Sequence, residues 1–443
     1  MLRLTTITTG LALLSTLASA AELFEGARLI VDARRAPIEN AAFLVDHGRI
    51  VKIGARGSIK AEGATRVDLT GKTVMPALID AHIHIGYQKG LDYSADNFTR
   101  ENVIDHLNRY AYAGVAAVLS LGTDLGEFPF ELRAAQAVGK LGGALYRTAG
   151  RGFAMPNAGP NVPEMKASAY GVTTEEEARR MVRAEIARKV DFIKIWVDDR
   201  NGTVPKLKPE LYRAIIDESH KRGVRVIAHI FYLQDAKDLA RAGIDGFAHL
   251  VRDRDLDEEA VALIKQKNVF IMPNMSIGDN AAHASVPAWF DEPLLNEVAP
   301  AASIARARAA YNGRSAQAVE RAQASIGIMQ RGLKKLHDAG ARVGYGTDDG
   351  AARDHFYAFT PHRELRLMVD SGLTPAQALT AATVTSAAFL KLDRNGTLDA
   401  SKSADFVVLD ANPLENIANT ARISRVYLRG QEVDRAALRA GWR

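Results

Sequence analysis

Eight short apolar runs alternating with amphipathic stretches limit what this 443-residue chain can fold into. The runs are 74–85, 114–122, 144–150, 191–197, 225–230, 246–251, 269–273 and 342–347. Between them lie helical patterns; in 209–222, Leu211, Ile215 and Ile216 share one side. Strand–helix alternation of this kind builds βαβ units around a parallel sheet. Eight such units predict an α/β fold, a (β/α)8 TIM barrel with its reactive groups at the C-terminal ends of the strands.

The two ends of the chain read differently. Segments 27–32, 42–46 and 49–54 are short and strand-like, punctuated by Gly48 and Gly54, and 404–410 and 422–428 match them in texture. The expectation is a small β-sandwich domain built from 22–72 and 396–440, split by a barrel domain over 73–395. A helix rich in Ala and Thr runs from Leu373 to Leu390. Two connections are long for a compact barrel: 152–171 after the third run, and 275–323 after the seventh, with Trp289, Phe290 and a basic stretch over 306–314. Leaving from the reactive face, they suit a lid or substrate wall, or else subunit packing.

Composition removes several chemistries. There is no cysteine, so thiolate zinc sites and cysteine nucleophiles are excluded, and any metal must rest on His, carboxylate or modified Lys. A formal charge of +5 without a dense Lys/Arg block gives no reason to expect nucleic acid. Arg3, the apolar stretch 4–17 and Ala18-Ser19-Ala20 have the layout of a cleaved export signal over 1–20. The apolar stretch is too short for a comfortable span. A periplasmic or secreted protein with no membrane span after cleavage is therefore expected.

The candidate chemistry lies at the strand ends. In Asp80-Ala-His82-Ile-His84, residues two apart share a face, so His82 and His84 project together as half of a metal site, or as two partly buried histidines. Lys194 is the single charge inside Phe192-Ile-Lys-Ile-Trp-Val197. Burial drives a lysine towards its neutral amine, which can take up carbon dioxide to form a carbamate able to bridge two metal ions. The other reading pairs Lys194 with Asp348 or Asp198. His229 and His249 end the fifth and sixth runs, and Asp348 ends the eighth, with Asp349 turned away by strand alternation. Tyr87, Arg151, Tyr232 and Arg252 each follow a strand end; such a Tyr could hold an oxyanion and such an Arg a substrate carboxylate, unless they are surface loop residues. Arg353 and His355 follow the eighth run without further support. His106, His220 and His337 fall among charged helical residues and are expected in solvent; His283 gets no role.

The HxH strand, the mid-strand lysine, two later single histidines and the terminal aspartate, in that order, resemble the amidohydrolase superfamily. The β-rich flanks and the ending TAATVTSAAFL…GTLDASKSADFVVLDANP resemble its imidazolonepropionase- and prolidase-like branch. The resemblance covers nearly all of the mature chain. It implies two divalent metal ions, commonly zinc, one held by His82, His84 and Asp348 and the other by His229 and His249. Carboxylated Lys194 and a hydroxide would bridge them, with Asp348 as general base and then general acid. The expected protein is an exported metal-dependent hydrolase cleaving the amide bond of a small-molecule substrate, of dipeptide or N-acyl amino acid type. The family often forms homo-oligomers. The same ligands could serve a lactone, phosphotriester or cyclic amidine. A non-catalytic ligand-binding barrel should have lost ligands, and none is missing.

Overall fold

In the computed structural model, which describes residues 21–353 and 355–442, the eight runs become eight shorter strands. They are Leu78–Ile83, Val115–Ser120, Leu145–Thr148, Phe192–Trp196, Arg225–His229, Gly246–Ala248, Phe270–Met272 and Arg342–Val343. The first three pair in parallel with one another, as do the last five. Third and fourth are joined by the Asp191 N–H to the Thr148 carbonyl, 2.8 Å. First and eighth meet through a parallel bridge between Ile83 and Asp349, with the Asp348 N–H on the His82 carbonyl at 2.8 Å. Ile79, Ala117, Leu119, Ile227 and Phe270 pack on one side, closed by Phe389, whose ring stacks on Phe270 at 3.8 Å. The helices cover the other side, as parallel strands buried on both faces require. The expected export signal lies outside the described residues. Among those described, no helix is long and apolar enough to cross a membrane.

The first strand begins later than the sequence suggests. Thr73–Pro76 pairs with Arg28 and Leu29 in parallel and with Phe406–Leu409 antiparallel, so its ladder belongs to the terminal strands. Pro76 has no N–H to continue a ladder, and the parallel strands begin at Leu78, which donates to the Gly114 carbonyl. The terminal strands form one continuous eight-stranded mixed sheet rather than two separate ones. Phe24 stacks on Phe43 at 4.8 Å and Phe406 on Tyr427 at 4.6 Å, each a pair in register on neighbouring strands. Phe24 also meets Tyr427 at 5.1 Å. Three strand spacings of about 4.8 Å separate them along the ladder, so the sheet curls strongly around this aromatic core.

The two long connections part company. Residues 158–165 line the main cavity of the parallel unit, as a substrate wall should. Of 275–323 only Ile277 reaches that cavity. Trp289, Phe290, Leu295, Val298 and Tyr311 instead bury themselves against Tyr112, Ala113, Phe356 and Phe359, in a core of their own. The expected helix at 373–390 is interrupted by a wide turn over Ala381–Thr385, where the Ser386 hydroxyl donates to the Ala381 carbonyl at 2.8 Å.

Candidate metal centre

His82 and His84 leave the end of the first strand on the same side, as their spacing requires. Their Nε2 atoms are 3.3 Å apart, and each lies 3.1 Å from Oδ1 of Asp348. That oxygen is buried and accepts no hydrogen bond, so the three atoms converge without satisfying one another. Tetrahedral ligands held about 2.0–2.1 Å from an ion sit about 3.3 Å from each other. His249 Nε2 comes within 3.7 Å of Asp348 Oδ2, and His82, His249 and Asp348 can each present an atom to one ion. The His229 ring lies 4.5 Å from that of His249. Burial holds His82 and His249 well below the usual imidazole range and pushes His229 down to about 4, leaving the neutral form that ligates metal. Burial pushes the carboxyl of Asp348 up, but the imidazoles around it more than offset this and hold it well below the usual range.

Lys194 is fully buried, and its Nζ has no hydrogen-bond partner. Among the described residues it forms no ion pair, so the pairing with Asp348 or Asp198 is not made. Burial lowers its amine to about 7 against the pull of Asp348. Gly122 and Gly152 make room for it; a Cβ on Gly122 would sit 2.6 Å from Lys194 Cγ, and φ there is +90°. Gly122→Ala should therefore destabilise the protein by about 2 kcal/mol or more, read as a lower urea midpoint at unchanged slope.

Surrounding groups aim the ligands. Asn274 Oδ1 accepts from His249 N–H at 2.9 Å and from His82 Nδ1 at 3.0 Å, which leaves the His82 Nε2 lone pair free for the centre. Thr123 Oγ1 holds His84 Nδ1 at 2.8 Å, and Asp198 Oδ2 holds His229 Nε2 at 3.2 Å. His249, Asn274 and Asp348 all have left-handed backbones, with φ of +79°, +50° and +61°. Only strong surrounding packing keeps a histidine there, and such conformations gather at functional sites.

The sequence profile of the Amidohydrolase family matches residues 73–433. The chain belongs to the Amidohydrolase family. It stands in the imidazolonepropionase- and prolidase-like branch and is a hydrolase of carbon–nitrogen bonds. It is 26% identical over 416 residues to the imidazolonepropionase of Deinococcus radiodurans, covering 89% of this chain and 92% of that protein. A Bifidobacterium longum protein assigned as a prolidase superposes with a TM-score of 0.75 at 26% identity, over 95% of this chain and 98% of that one. A Xaa-Pro dipeptidase with methionine in its active site shares the fold at 21% identity, with a TM-score of 0.74 over 93% and 99% of the two chains. Family and neighbours imply a TIM-barrel-like α/β fold. The family is generally metal-dependent, and the donor set here fits that chemistry.

This amidohydrolase opens its centre into a cavity of about 750 Å³, lined by His84, His229, His249 and Asp348 among others. Tyr232 and Arg252 also line it, as expected. The Tyr232 hydroxyl, however, donates to Asp199 at 2.7 Å, so an oxyanion role would cost that bond. Arg252 donates to the Ile230 carbonyl at 2.9 Å, while its buried Nε has no partner. Tyr87 and Arg151 do not reach the cavity. Packing turns both aside, the Tyr87 hydroxyl to the Thr123 carbonyl at 2.6 Å and the Arg151 guanidinium to the carbonyls of Ala167 and Ser168. Asp349 does point away from Asp348, but not by strand alternation, since the eighth strand ends at Val343. It accepts from Tyr110 at 3.0 Å and Thr360 at 3.2 Å, and burial pushes its carboxyl up to about 8. His106 is buried rather than in solvent: it accepts from Gly86 N–H at 3.1 Å and stacks on Tyr357 at 3.9 Å.

Asp198, Asn274 and Thr123 had no assigned part in aiming the ligands. Asp198 shares the strand face of Lys194 and Trp196, and Asn274 directly follows the apolar seventh run; a polar residue just past a buried strand is the signal each carried.

Proposed function

We propose that this amidohydrolase cleaves an amide bond in a dipeptide or N-acyl amino acid, using two divalent metal ions, zinc in both places. In this reading His82, His84 and Asp348 would hold one ion and His229 and His249 the other, with Lys194 contributing as its N-carboxylate. The observation that carries it is the convergence of two imidazole nitrogens and one carboxylate oxygen at 3.1–3.3 Å, together with a buried lysine whose Nζ has no hydrogen-bond partner. The metal pair would polarise the scissile carbonyl and supply hydroxide at neutral pH. Asp348 takes the proton of the attacking water and delivers it to the leaving nitrogen, moving between base and acid in one turnover. Arg252 grips the carboxylate of the leaving amino acid. The walls of the cavity exclude bulk water around the scissile bond.

In the same reading the parallel strands close as a (β/α)8 barrel over 78–395, and the curled terminal sheet, Thr73–Pro76 included, acts as a small sandwich domain. Residues 1–20 direct export, so cell fractionation should find the mature chain in the periplasm or medium. A cytoplasmic protein retaining 1–20 would overturn that part.

The decisive experiment is metal analysis of the purified protein followed by assay on N-acyl amino acids and Xaa-Pro dipeptides. Turnover with a pair of ions bound is expected; a fully metallated protein inert across the panel would refute the proposal. Arg252→Met should raise KM about 10- to 100-fold for substrates with a free carboxylate, with kcat little changed. The matching carboxamides should be unaffected.

A further inference from the structure

The cavity's charges are unevenly paired. Three arginines line it, Arg200, Arg252 and Arg353, and of these Arg353 is bound to Glu164 at 2.8 Å. Arg200 and Arg252 have no carboxylate within 4.0 Å among the described residues. Arg200 donates to the Gly159 carbonyl and Arg252 to the Ile230 carbonyl, bonds that leave both charges in place.

Each lining carboxylate is already committed. Asp348 Oδ1, which accepts no hydrogen bond, lies 3.1 Å from Nε2 of His82 and of His84 and is one of the atoms that the hydrolase reading gives to a metal ion. Asp198 accepts from His229 Nε2 at 3.2 Å with one oxygen and from Arg200 N–H at 2.8 Å with the other. Glu164 is held by Arg353. The cavity therefore offers two guanidinium groups to an anion and no free carboxylate to a cation. An ammonium group entering it would lose its water and find no counter-charge. Away from the arginines the wall is mainly apolar, with Pro160, Val162, Met165, Trp196 and Ile277, and its other polar groups, Asn161, Asn201 and Tyr232, are uncharged.

From this charge pairing we infer that the substrate is an N-acyl amino acid with an uncharged, apolar acyl group, selected over a free dipeptide. The inference rests on the hydrolase reading above and narrows its substrate class. The amino acid's carboxylate meets Arg252, with Arg200 adding to the field. The acyl chain lies on the apolar wall, and an α-ammonium beside the scissile carbonyl is rejected.

The test compares N-hexanoyl-leucine with norleucyl-leucine, which differ only by an α-amino group beside the same scissile bond, using the protein with its metals. At pH 7, kcat/KM should favour the hexanoyl compound at least about tenfold, mainly through KM. Because an α-amine titrates at about 7.7–8.0, the ratio should shrink towards one at pH 9, where the amine is neutral. A ratio near one or reversed at pH 7 overturns the inference and leaves the hydrolase reading intact. A ratio that stays high at pH 9 also overturns it, since size rather than charge would then decide. No turnover of any amide by fully metallated protein overturns both.

Discussion

Lys194→Met should lower amide turnover about a thousandfold or more and reduce bound metal from a pair of ions towards one. Methionine is unbranched and only one atom shorter than lysine, so it still fills the space beside Gly122 and leaves little cavity to explain the loss. A fully buried amine with no hydrogen-bond partner is unfavourable, and burial has already brought it down to about 7. Methionine removes that cost, so the metal-free variant should unfold at the same temperature as the wild type or higher. A lysine of purely structural value would behave the other way, losing stability and leaving metal content alone. Thermal unfolding with and without chelator, together with metal analysis, separates the two. Retention of both ions and full activity in the Met variant would end the carboxylated-lysine proposal.

What could be read from the sequence was governed by periodicity. His82 and His84 fall on one face because a strand repeats every two residues, and Lys194 stood out as the lone charge in an apolar run. Both follow from local covalent geometry, and both hold. Asp348 does lie beside the paired imidazoles, but its direction comes from a left-handed backbone at φ +61°, which a strand pattern does not encode. Tyr87 and Arg151 show the limit of the strand-end rule. Such a position fixes where the backbone lies, while the side chain follows whichever carbonyl packing brings near. Asn274 is the same case in reverse, since its contact with His82 spans 192 residues and exists only once the strands have assembled. His106 was misread because charged neighbours in sequence say nothing about Tyr357, which stacks on it from the far end of the parallel unit. The continuity of the terminal sheet was hidden for a related reason. Thr73–Pro76 looks like the start of the next buried run, and only the pairing partners Arg28 and Phe406–Leu409 show where it belongs.

Asp348→Asn should reduce kcat about a thousand- to ten-thousandfold with a much smaller change in KM. Asparagine is nearly the same shape and tolerates a left-handed backbone better than most residues. The Asp348 N–H to the His82 carbonyl, 2.8 Å, is a backbone contact and survives the change. The fold should therefore hold, which circular dichroism and thermal unfolding would verify. What disappears is a carboxylate able to take up a proton and give it back, and metal analysis of the variant separates that loss from any loss of the ion Asp348 helps to hold. Asp349→Asn is the control. Burial pushes the Asp349 carboxyl up to about 8, so near neutral pH it is mostly the uncharged acid, and an amide replaces one neutral group with another. That variant should keep activity within about threefold, its amide oxygen accepting from one of the Tyr110 and Thr360 hydroxyls and its NH2 donating to the other. The contrast between neighbours is the useful measurement. Loss in the Asp349 variant with retention in the Asp348 variant would move the proton-transfer role by one residue and remove the basis for Asp348 as the base.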